Sequence, residues 1–342
     1  MARPAFAIDD FEPPLWLRNP HLASLWANLL QPAPPAAYRR ERLTTTDGDF
    51  VDLDWIDGVP GSPLVLGCHG LEGCSRSPYM LRLMEQVRRR GWHGVVLNYR
   101  GCSGEDNRLV RAYHSGWTDD VDLVVRRLAG RMPATPIFVA AYSLGGNIVG
   151  NWLGRCAAAI TPAPAGAFFC SAPFLLAPCS RQLERGLQQL YLRRFLRTLR
   201  QKAHRKAQAH PGAFDAAATA RARTLREFDE AYTCPLNGFR DADDYYERAS
   251  CGPHLARIRI PTLVLNALDD PLIPPDSTPR ELIADTPGVQ LVQVARGGHV
   301  GFVCKGRPDW LEEQILRWFD ACLGALPADA PGAATHGGRP TQ

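Results

Sequence analysis

The segment Ile137-Phe-Val-Ala-Ala-Tyr142-Ser143-Leu144-Gly145-Gly146 constrains this chain more than any other. An apolar run of strand type ends in a serine, and a stretch compatible with a helix follows. So sharp a strand-to-helix turn crowds the backbone, and only small side chains fit two positions to either side, here Ala141 and Gly145. The turn lifts the Ser143 hydroxyl above a sheet and leaves the N–H of Leu144 pointing at whatever that hydroxyl attacks. Taken alone, such a string describes many ordinary turns. Its company makes it informative.

Downstream, Pro261-Thr-Leu-Val-Leu-Asn-Ala267 reads as a buried strand that runs into Asp269-Asp270 and is stopped by Pro271, Pro274 and Pro275. Gln290–Val294 reads as another strand, followed by the glycine-rich loop that holds His299. Serine, acid and histidine thus appear in the chain order of an α/β-hydrolase triad, each after its own strand. Ser143 needs an adjacent base to become a nucleophile. His299 can take that proton and return it to a leaving group. A carboxylate must then hold the second ring nitrogen. The Asp-Pro-apolar-apolar-Pro run points to Asp270 for this task, with Asp269 as its competitor.

Upstream, Leu64–Cys68 is a short apolar strand leading into His69-Gly70-Leu71-Glu72-Gly73. That loop can aim the N–H of Leu71 at a developing oxyanion beside that of Leu144; one such donor contributes ~3 kcal/mol in a transition state. His69 has only its loop position to recommend it and reads as structural. Cys68, Cys74 and Cys102, with no base assigned to them, read as packing residues.

With 342 residues, 45% of them hydrophobic, the chain can bury a large core. A formal net charge of +4 is too mild to indicate nucleic acid. The ten cysteines form no CxxC pair, which fits reduced thiols in the cytoplasm. No secretory h-region opens the chain, and no apolar stretch approaches the ~20 residues that cross a bilayer. With no P-loop, GxGxxG after a strand, or HExxH spacing, no metal or organic cofactor is expected.

Residues 1–40 read as an extension in which Leu22, Leu25, Trp26, Leu29 and Leu30 form a helical apolar stripe. Packing of that stripe against the body is the plainer reading; a membrane-touching or substrate-entrance element is the sharper one. Strands are expected at 51–55, 64–68, 94–98, 137–142 and 166–171, with helices at 77–90, after Thr118, from 145 and at 308–322. This alternation implies an α/β fold: a mostly parallel sheet with helices on both faces. Residues 41–173 and 256–325 would form that core, 174–255 a helical cap inserted before the acid-bearing strand, and 326–342 a disordered tail. From Arg181 to Lys206 the cap carries nine Lys/Arg against one Glu. That cationic face reads as solvated surface, with anionic lipid headgroups or the phosphates of an acyl-CoA as alternatives.

Nine segments carry a family resemblance: Asn19-Pro-His-Leu22, Asp47-Gly-Asp-Phe-Val-Asp-Leu53, His69-Gly-Leu-Glu-Gly73, Arg100-Gly-Cys-Ser-Gly104, Tyr113-His-Ser-Gly116, Tyr142-Ser-Leu-Gly-Gly-Asn147, Ser171-Ala-Pro-Phe174, Asp269-Asp-Pro271 and Gly297-Gly-His-Val-Gly-Phe302. Together they closely resemble the YheT-like esterase family of α/β-hydrolases. Its wider branch includes lipid-active eukaryotic members with monoacylglycerol lipase, phospholipase and medium-chain acyl-CoA:alcohol acyltransferase activities. The resemblance spans residues 19–320 and implies an α/β-hydrolase fold, a Ser143/Asp270/His299 triad and ester or acyl-lipid chemistry. Ala141 departs from the glycine often found there.

The reading that follows is a serine carboxylesterase acting on a small-molecule acyl ester, short to medium chain or lipid-like. An acyltransferase, in which an alcohol replaces water, is the alternative. A non-catalytic binding protein on the same fold is the third. Membrane contact, if any, would be peripheral, and the oligomeric state is not legible.

Overall fold

The computed structural model describes residues 3–156, 159–161 and 163–326, so the expected tail lies outside the described residues except for Leu326. Eight strands form one sheet: β1 (Arg39–Thr44), β2 (Phe50–Ile56), β3 (Leu64–Cys68), β4 (His93–Asn98), β5 (Ile137–Tyr142), β6 (Gly166–Cys170), β7 (Thr262–Ala267) and β8 (Val289–Val294). Their spatial order is β1-β2-β4-β3-β5-β6-β7-β8. The β1/β2 and β2/β4 pairs are antiparallel, and the rest are parallel. The helices are α1 (Pro20–Leu25), α2 (Pro78–Arg89), α3 (Asp119–Arg131), α4 (Leu144–Arg155), α5 (Leu176–Leu183), α6 (Gln188–Ala209), α7 (Ala216–Arg221), α8 (Leu225–Phe228), α9 (Cys234–Asn237), α10 (Ala242–Ala249), α11 (Arg280–Ala284) and α12 (Trp310–Gly324).

Strand β5 shows why two layers of helices are needed. Every residue in it is buried, and side chains alternate between the faces of a strand. Val139 and Ala141 pack in a core with Val121, Val124 and Leu128 of α3 and Ile148 and Trp152 of α4. Phe138, Ala140 and Tyr142 pack with Met80 and Leu83 of α2 and Ile315 and Phe319 of α12. Each face must therefore be covered by its own helices, which the crossover connections supply as α2, α3 and α4 and the segment after β8 supplies as α12.

Strand β1 escaped the sequence reading because Arg39-Arg-Glu-Arg-Leu-Thr44 lacks an apolar alternation. Pairing with β2 creates it. Arg40 stands opposite Asp54 and Arg42 opposite Asp52. Each guanidinium makes two bonds of 2.8 Å to its carboxylate. These planar bidentate pairs cover two carboxylates that are otherwise buried.

The N-terminal stripe faces the opposite way from the plainer expectation. Asn19 caps α1 by accepting the N–H groups of His21 and Leu22, and a π-helical turn, Trp26–Leu30, continues it. Its buried residues are the small ones, Ala23, Ser24 and Ala27, while Leu22 is 51% and Leu30 64% exposed. Backbone contact with the loop around residues 297–301 is the reason. A Cβ on Gly298 would meet the Pro20 carbonyl oxygen at 2.5 Å, and one on Gly301 would meet Ala23 backbone at 2.8 Å. Leucines cannot enter so close an approach, so they are turned outward.

Residues 176–249, between β6 and β7, contain α5 to α10 and no strand. The cationic face of α6 is solvated only in part, which corrects the expectation for its second half. Lys202 bonds Glu72 at 2.8 Å and Arg205 bonds Asp106 at 2.6 Å. Buried Lys206 donates to the carbonyls of Asn107 and Leu109. These cations fasten the helical segment to core loops. Arg193, Arg194 and Arg197, nearer the start of α6, remain exposed. No helix among the described residues is long and apolar enough to cross a membrane.

Candidate active site

Ser143 occupies the junction of β5 and α4 with φ 50° and ψ −124°, a conformation that costs a non-glycine residue energy. Two glycines allow the turn. A Cβ on Gly145 would lie 2.6 Å from the carbonyl oxygens of Cys68 and His69, so only glycine lets α4 start against the end of β3. A Cβ on Gly70 would lie 3.1 Å from that of Ser143, which measures how closely the loop after β3 approaches the serine.

His299 follows β8. Its Nε2 lies 2.9 Å from Ser143 Oγ, and its Nδ1 lies 2.9 Å from Oδ2 and 3.2 Å from Oδ1 of Asp270. Asp270, in the loop after β7, is buried, and its Oδ1 also accepts the N–H groups of Leu272 (2.8 Å) and Ile273 (3.1 Å). The three residues, 156 and 29 positions apart in pairs, meet at the carboxyl ends of their strands. Asp269 turns elsewhere: its Oδ1 accepts the Gly298 N–H at 2.9 Å, and burial raises its pKa.

The two N–H groups expected as oxyanion donors have no acceptor among the described residues. Gly70 N–H donates to Tyr79 Oη at 3.1 Å, Glu72 N–H to Tyr113 Oη at 2.9 Å, and Gly73 N–H to the Gly70 carbonyl at 3.0 Å. Between them, the N–H of Leu71 meets no acceptor among the described residues, and neither does that of Leu144 at the first turn of α4. Helix geometry leaves such first-turn N–H groups unpaired and adds a favourable dipole.

His69 is structural. Its Nε2 accepts the Tyr99 N–H at 3.1 Å while Nδ1 faces the Gly70 carbonyl at 2.8 Å, and burial lowers its pKa to about 4. Burial pushes the Cys68 thiol up to about 12 and the Cys102 thiol up to about 11, which suits packing residues. Cys74 is partly exposed.

Residues to which the sequence reading gave no role hold the histidine loop. Ser24 Oγ accepts the His299 N–H at 2.8 Å, and Asn28 Nδ2 donates to the His299 carbonyl at 3.0 Å. Ser171 Oγ accepts the N–H of Val300 at 3.0 Å. The N-terminal segment is thus part of the candidate site. The one available signal was small polar residues on the inner side of a leucine stripe, and that is weak without the fold. Backbone strain marks the same place: the non-glycine residues with positive φ among the described residues are Glu72, Ser143, Ser171 and Val300.

Two cavities meet at Ser143, Leu71 and His299. One, of about 160 Å³, runs under the helical segment between Leu176, Leu183, Phe195, Phe228 and Leu272. The other, of about 200 Å³, opens between α1 and α6, past Leu25, Leu29, Tyr191 and Arg194. The serine therefore stands between an apolar chamber and a second cavity whose rim carries the exposed side chains of Leu25, Leu29 and Arg194, its mouth to the surface.

Comparison with known proteins agrees with this architecture. The alpha/beta hydrolase fold family matches residues 63–305. YheT of Escherichia coli (strain K12), which carries an esterase name, is 38% identical over 92% of this chain and 94% of its own. Phospholipase ABHD3 of Mus musculus is 34% identical over 86% of this chain and 74% of that one. Among solved structures, the esterase EaEST from Exiguobacterium antarcticum superposes with a TM-score of 0.54 at 13% identity, over 82% of this chain and 100% of that one, a likeness of fold alone. The chain belongs to the α/β-hydrolase family, in the group that contains YheT.

Proposed function

We propose that this protein is a serine carboxylesterase that hydrolyses acyl esters, short to medium chain or lipid-like, through an acyl-enzyme. One observation carries the reading: the unbroken hydrogen-bonded line from Ser143 Oγ through His299 to buried Asp270, placed where two cavities join. Relatives named esterase and monoacylglycerol lipase support a hydrolase.

Ser143 Oγ attacks the ester carbonyl while His299 Nε2 takes its proton, and Asp270 steadies the imidazolium that forms. The N–H groups of Leu71 and Leu144 bind the oxyanion, already free of other partners and so needing little reorganisation. His299 then protonates the departing alkoxide. Water, deprotonated by the same nitrogen, releases the acid and restores Ser143. The apolar chamber takes the acyl chain, and the mouth takes the alcohol. In this reading residues 174–255 serve as the cap and 41–173 with 256–325 as the hydrolase core.

The mouth also leaves room for an alcohol in place of water, which would give acyl transfer. An acyl-length series of p-nitrophenyl esters tests the main reading, with a Ser143→Ala control and fluorophosphonate labelling. Hydrolysis and labelling that both vanish in Ser143→Ala are expected. Folded wild-type protein that neither labels nor turns over any ester refutes it. Ester products dominating at low added ethanol would assign it to transfer instead.

A further inference from the structure

Among the described residues ten large apolar side chains are exposed, and the positions of eight decide the matter. Leu15, Trp16, Leu22, Leu25, Leu29 and Leu30 belong to the N-terminal segment, and Leu187 and Leu190 to the start of the cap. The two groups adjoin: His21 Nδ1 lies 3.3 Å from Tyr191 Oη, with the rings stacked at 5.9 Å. They also flank the mouth, since Leu25, Leu29, Tyr191 and Arg194 line the cavity that reaches Ser143. Apolar surface gathered in one place, rather than scattered, marks a contact site.

Charge says what would cover it. Leu190, Arg193, Arg194 and Arg197 recur at helical spacing, so they share one stripe of α6, opposite buried Leu192 and Leu196. These three arginines form no ion pair among the described residues, unlike the cations further along α6. Between Pro13 and Pro32 there is no carboxylate, and Glu184 is the sole one between Arg181 and Ala209. Leucines and tryptophan beside unpaired arginines, with the opposite charge absent, form the pattern of a surface that rests in the headgroup region of an anionic lipid layer.

We propose that the N-terminal helical segment and the first two turns of α6 form an interfacial docking surface for anionic lipid, which places the mouth of the cavity against the layer. Binding stands independently of the enzymatic reading. Its consequence, that the ester enters from the lipid, rests on that reading.

The test is flotation with phosphatidylcholine vesicles, with and without phosphatidylglycerol, using wild type and Ser143→Ala. Both proteins are expected to float with the anionic vesicles and to be released by high salt. Arg193→Gln with Arg197→Gln should weaken partitioning about 25-fold, roughly fivefold for each arginine at an anionic surface. Leu22→Ser with Leu30→Ser should weaken it at least about tenfold. Turnover of a soluble p-nitrophenyl ester serves as the folding control, because none of these four residues lines either cavity. Failure of wild type to float while soluble ester is still cleaved overturns docking and leaves the esterase intact. Flotation without any hydrolysis supports docking and sinks the enzyme reading alone. A dimer in sedimentation velocity that the leucine pair abolishes, with no flotation, would assign the patch to a second copy and overturn the proposal.

Discussion

Replacement of Asp270 by asparagine isolates what the carboxylate contributes. Oδ1 of Asp270 is held by two backbone donors, the N–H groups of Leu272 and Ile273, at 2.8 and 3.1 Å. An asparagine must keep its carbonyl oxygen there, because an amide N–H facing two N–H groups would leave buried donors unpaired. Its NH2 then points at His299 Nδ1, where Asp270 Oδ2 lies at 2.9 Å. That nitrogen is forced to accept, the ring proton moves to Nε2, and Ser143 loses the base that the proposed mechanism gives it. A tautomer locked this way costs roughly 10⁴ in kcat, about 5.5 kcal/mol. The Asp270 side chain is fully buried, so it does not face substrate, and KM should hold within a few-fold. Asp269→Asn is the matched control: its carboxylate serves the Gly298 N–H, and an asparagine oxygen still accepts that bond. Its kcat should fall less than about tenfold. Steady-state hydrolysis of p-nitrophenyl butyrate, with circular dichroism to check folding, reads both. A folded Asp270→Asn enzyme that retains more than a tenth of kcat, or a larger loss in Asp269→Asn, refutes the assignment.

Gly145→Ala drives a Cβ into two backbone carbonyls at 2.6 Å that no rotamer change can move. It should lose at least about 3 kcal/mol in urea unfolding and much of its kcat as the Leu144 N–H shifts; wild-type stability would show that α4 can slide. Arg82 bonds Glu312 at 3.1 Å and the Ala27 carbonyl at 3.2 Å, all in buried surroundings. Arg82→Met strands the Glu312 charge and should cost about 3–5 kcal/mol, with most of it recovered in Arg82→Met/Glu312→Leu. No recovery in the double variant would show that the lost contact to Ala27 dominates. Burial raises the Asp229 pKa to about 7, although Thr233 and Tyr246 hydroxyls donate to it. The folded state therefore holds a proton between pH ~4 and ~7 that the unfolded chain has released, so this group's contribution falls as pH rises through that window. Asp229→Asn should gain stability relative to wild type from pH 4 to 7 in thermal melts; a pH-independent gap would contradict the raised pKa.

The candidate site was legible as far as its residues carry local signals. Small residues about Ser143, prolines after Asp270 and glycines before His299 each record a backbone demand, and a backbone demand is visible in sequence. Asp269 and Asp270 could be ranked only by that proline run. What separates them is direction, His299 for one and Gly298 N–H for the other, and direction appears only when β7 and β8 pair. Ser24 and Asn28 sit 271 or more positions from the histidine they hold, with no motif to announce them.

Alternating apolar runs and helix starts by themselves determined a parallel sheet covered on both faces, since each pattern follows from side chains within a few residues of one another. The tertiary structure alone decided which side of α1 is inside and which cations of α6 are spent. Glycine loops admit only Ala23 and Ser24, so leucines that read as core stand in solvent. Lys202 and Lys206 reach core loops, while Arg193 and Arg197, on the same helix, do not. Burial and pairing depend on what lies across a gap, and a sequence records only what lies along the chain.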